Sequence, residues 1–106
     1  MNDALRQTLS TLHAELAALY GERLVGLRLF GSQARGDAEP GSDIDVLVIL
    51  KGQVHPGSEI ARVSALRASL CLASDLVISC LFVSEERFLE ERSPLLMNVR
   101  AEGVPV

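Results

Sequence analysis

A chain of 106 residues, 48% hydrophobic and 23% charged, has room for one small domain over residues 1–106 and no more. Its net charge of −4, its single lysine (Lys51) and the absence of any Lys/Arg run leave little to grip a phosphate backbone, so no direct nucleic-acid partner is expected. No stretch approaches the roughly 18 consecutive apolar residues of a membrane helix. The N-terminus carries Asp3 and Arg6 within an amphipathic pattern and does not read as a signal peptide. Cys71 and Cys80 have no metal or redox spacing and are expected to serve as small buried hydrophobes. A cytoplasmic protein with no membrane association follows as the expectation.

In chain order, Asn2 or Asp3 can cap a first helix whose Leu5, Leu9, Leu12, Leu16 and Leu19 recur at helical spacing, with Gly21 as its stop. His13 on that helix has no metal-binding companion and is expected in solvent or at the edge of the core. Leu24 to Phe30 reads as a short strand, and residues 31–37 as a turn with a short helix. Residues 38–41 carry loop chemistry around Pro40 and Gly41. From Asp43 to Leu50 the chain has no polar residue after Asp45, which predicts a central strand buried on both faces. A loop over residues 52–57 follows. Ser58 is the expected cap of a second long helix with Ile60, Val63, Leu66, Leu70 and Leu72 along its apolar stripe. Residues 75–83 are expected to form the third strand. Ser84 should cap a short helix with Glu85 and Glu86 in its first turn, and Pro94 should open a last helix running toward Gly103. The order α-β-α-β-α-β-α-α implies a small α/β (α+β) domain: one mixed sheet with flanking helices.

Chemistry concentrates between residues 31 and 45. Gly31-Ser32-Gln33-Ala34-Arg35-Gly36 follows one apolar run, and Ser42-Asp43-Ile44-Asp45 opens the next. Side chains two apart on a strand share a face, so Asp43 and Asp45 would stand side by side. Carboxylates that close repel, and a divalent cation relieves the repulsion. A glycine-serine turn entering a helix offers backbone N–H groups to phosphate. The turn is not a P-loop, because the lysine after its second glycine is missing, and Val46, Leu47 and Val48 supply no oxygens for a calcium loop.

The ordered combination of apolar strand, Gly-Ser, Ala-Arg-Gly, Ser-Asp-Ile-Asp and apolar strand resembles the polymerase-β-like nucleotidyltransferase superfamily. Within it the chain is most similar to the minimal nucleotidyltransferases. Asp75 and the terminal stretch Asn98-Val99-Arg100-Ala101-Glu102-Gly103 extend the resemblance over nearly all of the chain. The resemblance implies that Asp43, Asp45 and Asp75 are catalytic and hold two Mg²⁺ ions, with Asp75 the activator of the attacking hydroxyl. The reading of Asp75 as a helix-to-strand turn residue stands beside that one. Gly31 and Ser32 would bind the β- and γ-phosphates. Arg35 would reach the phosphates or brace the turn, and Ser42 would orient Asp43 or touch a phosphate. The implied reaction moves a nucleoside monophosphate, AMP from ATP, to a hydroxyl acceptor. Because the chain lacks the additional helical domain of small-molecule transferases, the expected acceptor is a tyrosine of a HEPN-type toxin, which makes this chain the antitoxin of a pair. Two alternatives are a non-catalytic module that neutralises a partner by occlusion and an aminoglycoside-type transferase that completes its pocket as a homo-oligomer.

Overall fold

The computed structural model describes residues 3–36 and 41–106. Asn2 as a cap, Asp37 and the loop expected over residues 38–40 lie outside them. Helix α1 (Asp3–Tyr20) leads through a 3₁₀ turn (Gly21–Arg23) into β1 (Leu24–Phe30), and the short α2 (Ser32–Arg35) precedes β2 (Ile44–Leu50). Then come α3 (Pro56–Ser74), β3 (Ile78–Ser84), α4 (Glu85–Glu90), α5 (Pro94–Glu102) and a two-residue β4 (Val104–Pro105). The sheet order is β3-β2-β1-β4. β2 runs parallel to β3 and antiparallel to β1, which pairs antiparallel with β4, so the expected mixed sheet is present. Among the described residues no helix is long and apolar enough to cross a membrane.

The sheet separates two cores. On one face Ile44, Val46, Val48 and Leu50 of β2 join Leu27 and Leu29 of β1 and meet α1 and α3. On the other face Leu47 and Ile49 pack with Val83 of β3 and with Leu96 and Val99 of α5. Every residue of β2 from Val46 to Leu50 is therefore fully buried, as expected for an apolar run without alternation. Asp45 belongs by alternation to the face that carries α5, one step before that cover begins. The helix starts behave as their residues dictate. The Ser84 hydroxyl accepts from the Arg87 N–H, the Ser93 hydroxyl accepts from Leu96, and Pro94 follows in the first turn of α5.

Several details depart from expectation. α3 starts three residues earlier than a Ser58 cap allows, with His55 at its N-cap. Its inward face begins with buried Glu59 and Val63, whereas Ile60 and Leu72 point to solvent. In α1 the last inward position is Tyr20 and not Leu19. These changes have one cause. Glu59 accepts hydrogen bonds from the Tyr20 hydroxyl at 3.0 Å and from the His55 N–H at 3.2 Å, and Arg62 sits 3.4 Å away, so a carboxylate is satisfied where periodicity asked for an aliphatic chain. The third strand begins at Ile78 and not at residue 75, because Asp75 is the left-handed C-cap of α3 (φ 58°). β4 was not anticipated, since two residues carry no periodic signal. His13 lies at the core edge as expected, its Nδ1 2.7 Å from the Val106 carbonyl oxygen. Cys71 and Cys80 are free thiols and only partly buried, and burial pushes the Cys80 thiol up to about 11.

Two predictions follow from this packing. Leu29→Ala, at a fully buried β1 position, should cost about 2–5 kcal/mol in urea unfolding, while Leu72→Ala on the exposed side of α3 should stay within ~0.5 kcal/mol. For Glu59, burial raises the carboxyl, but the His55 N–H, the Tyr20 hydroxyl and the Arg62 and Arg23 charges outweigh it and leave it below the usual 4.5. A depressed folded value stabilises above the unfolded value and loses that contribution as pH falls through the folded one. Glu59→Gln should therefore be less stable than the wild type near neutrality, and the gap should close below pH 4.5, as read by thermal unfolding across pH 3–7.

Candidate active site

β1 delivers the chain to the site at Phe30, which stands opposite Asp45 in the β1–β2 ladder. Gly31 then takes φ 73° and ψ −152°, a conformation open essentially to glycine alone, and turns the backbone into α2. The Arg35 N–H closes the turn on the Gly31 carbonyl at 3.2 Å, and Gly36 ends α2 in the left-handed region. The second reason for glycine at 31 is space. A Cβ there would lie 2.6 Å from Asp45 Oδ2, so the carboxylate of β2 rests directly against the turn that follows β1. Two motifs separated by a dozen residues thus share one surface.

Asp43 is exposed just before β2, and Asp45 is half-buried at its second position. The Ile44 N–H between them donates to the Val77 carbonyl at 2.8 Å, which fixes this entry against the segment leading to β3. Burial, and after it the negative charge of Asp43, raises the Asp45 carboxyl above its ordinary value. The structure therefore keeps two carboxylates within mutual electrostatic reach at the open end of a strand otherwise sealed in hydrocarbon. Oxygen donors of this kind suit Mg²⁺, which is commonly held by one or two carboxylates together with substrate phosphates.

Gly31 and Asp45 touch, Asp43 lies two residues from Asp45, Ser42 is half-buried immediately before Asp43, and Ser32 and Arg35 are the first and last residues of α2. Asp75 is the left-handed C-cap of α3, the turn position that was its alternative reading, and lies two residues before Val77, whose carbonyl accepts the Ile44 N–H. No group of three or more His, Cys, Asp or Glu side chains arranged for a metal occurs among the described residues. The β3 residue in register with Asp45 is Ser79, exposed on the sheet edge. Its place could not be read from the sequence, because the register of a parallel pair joined by a long helix leaves no local mark. The same holds for Asn98 and Glu102 of α5, which line a cleft with Gly31 and Arg35.

Gly31→Ala tests the contact. Alanine in this conformation costs about 1–3 kcal/mol, and its Cβ must displace the Asp45 carboxylate. The variant should unfold at lower temperature and bind Mn²⁺, a spectroscopic stand-in for Mg²⁺, more weakly than the wild type.

Comparison with known proteins agrees with this geometry. Among solved structures, one assigned as a minimal nucleotidyltransferase is 28% identical, with a TM-score of 0.63, covering 98% of this chain and 94% of its own. A nucleotidyltransferase assignment from Sulfolobus solfataricus is 20% identical (TM-score 0.62) over 99% of this chain and 86% of that one. A toxin–antitoxin crystal structure with AMP-PNP is 21% identical (TM-score 0.60) over 87% of this chain and 67% of that one. No curated protein matches. The family model of the nucleotidyltransferase domain matches residues 9–95, which takes in the Gly31 turn, both aspartates and all three long strands: the chain belongs to the nucleotidyltransferase domain family.

Proposed function

We propose that this chain transfers AMP from ATP to a hydroxyl group of a protein partner, a tyrosine of a HEPN-type toxin, and acts as the antitoxin of the pair. The observation that carries the transfer reading is the packing of Asp45 against Gly31, because it joins a phosphate-binding turn and a carboxylate pair in one site. Asp43 and Asp45 are the residues that would hold Mg²⁺, and the donor set fits it. When bound there, Mg²⁺ would supply charge neutralisation to the triphosphate and the departing pyrophosphate. The backbone N–H groups and hydroxyl at Gly31 and Ser32 hold the β- and γ-phosphates, while Arg35 and Ser42 flank them. The acceptor oxygen forms its bond to the α-phosphorus, the bond to the β-phosphate oxygen breaks, and the acceptor proton leaves to solvent or a nearby base. The toxin–antitoxin structure solved with AMP-PNP supports a nucleotide and a protein partner for this fold.

The test is transfer of label from α-³²P-ATP with Mg²⁺ to the product of the adjacent gene. Wild-type protein should label it, and Asp43→Asn and Asp45→Asn should each lose at least ~100-fold, since even outer-shell losses at metal sites cost 10–100-fold. Asp75→Asn separates the two readings of that residue: asparagine keeps the left-handed cap readily, so activity within a few-fold marks it as the turn residue, and a loss as large as that of Asp43→Asn marks it as the third carboxylate. Neutralisation of the partner by the wild type and Asp43→Asn alike, without label, would establish occlusion in its place.

A further inference from the structure

Beside the Gly31 turn, α5 and the end of β1 enclose a cleft of about 210 Å³, lined by Phe30, Gly31, Arg35, Leu95, Asn98 and Glu102. We propose, resting on the nucleotidyl-transfer reading, that this cleft receives the base of the nucleotide and that the Asn98 amide selects adenine. Leu95, Asn98 and Glu102 fall at i, i+3 and i+7 of α5 and so share one face of that helix. Buried Leu96 and Val99 on the adjoining face hold α5 against β2 and β3, and the Arg100 guanidinium donates to the Phe88 carbonyl at 2.6 Å, so the wall is rigid. Among the described residues, neither the Asn98 amide nor the Glu102 carboxylate has a side-chain hydrogen-bond or ion-pair partner.

Size and charge decide what enters. Clefts that enclose a whole drug-sized ligand run to roughly 300–1,000 Å³, so this one suits a single ring system with the triphosphate outside. The wall carries one carboxylate, Glu102, and one guanidinium, Arg35, so its charges offset, and Phe30 and Leu95 offer apolar sides to a planar ring. An asparagine amide presents a donor and an acceptor side by side, the pattern that pairs bidentately with adenine N6 and N7. A phenol would use only one of these. Glu102, one helical turn beyond Asn98, accepts from ribose hydroxyls.

Calorimetry on the full chain with Mg²⁺ separates the parts. Wild-type protein should bind ATP more tightly than GTP and more tightly than inorganic tripolyphosphate. Asn98→Ala should weaken ATP at least about fivefold, erase the preference over GTP and leave tripolyphosphate unchanged. Glu102→Gln should weaken ATP but not 2′,3′-dideoxy-ATP. Both residues are exposed, so melting temperatures should not move. Equal loss of ATP and tripolyphosphate in Asn98→Ala, or no loss of either, overturns the assignment. Lost transfer to the partner with ATP binding intact overturns it in favour of the acceptor. Failure of the wild type to bind either ligand would instead sink the nucleotidyl-transfer reading itself.

Discussion

The sealing of β2 on both faces is the constraint on which the rest of the molecule depends. From Val46 onward every residue of this strand lies under helices, α1 and α3 on one side and α5 on the other. A charged group in that interior would cost several kcal/mol of desolvation with nothing to repay it. Charge is therefore admitted only at the N-terminal end of the strand, and Asp43 and Asp45 occupy that end. The same enclosure makes the position of the two carboxylates rigid, because the strand that carries them can neither slip nor rotate without exposing five aliphatic side chains.

Antiparallel pairing with β1 then determines what the carboxylates face. Phe30 opposite Asp45 means that the residue after β1 must pass beside the Asp45 carboxylate. Only a residue without a Cβ can do so, and only glycine accepts the φ and ψ required there. Gly31 thus answers a steric and a conformational demand at once. Ser32 and the open end of α2 are placed as a consequence. The raised carboxyl of Asp45 is the electrostatic counterpart: burial and the neighbouring charge of Asp43 store repulsion that a divalent cation would relieve.

Much of this was legible from residue order. The apolar run without alternation marked β2 as central, the Ser84 and Pro94 starts marked two helices, and the spacing of Asp43 and Asp45 marked the candidate site. What stayed illegible has physical reasons. Glu59 displaced the expected stripe of α3 because a buried carboxylate can be satisfied by a tyrosine from another helix, and that partner lies 39 residues away. Asp75 looked like a strand opener because Leu76 and Val77 continue an apolar run. Backbone geometry ends the helix there instead, as aspartate tolerates the left-handed conformation better than most residues. Two-residue β4 and the register that sets Ser79 beside Asp45 depend on tertiary pairing, which leaves no periodic trace.

On the proposed reading, Asp43 and Asp45 carry the metal-triphosphate whether or not Asp75 joins them. Two carboxylates and a phosphate turn suffice to bind and orient a metal-triphosphate, which already supplies much of the coordination Mg²⁺ requires. Deprotonating the acceptor is a separate task, and the residue in register beside Asp45 is a serine, which cannot serve as a strong base. A group that arrives with the acceptor can fill that role at the open sheet edge next to Asp45. Chemistry would then proceed only once the partner is seated, and ATP in the unpartnered protein would be protected from hydrolysis. On the proposed reading, a base that arrives with the partner would couple the transfer to recognition of the correct acceptor.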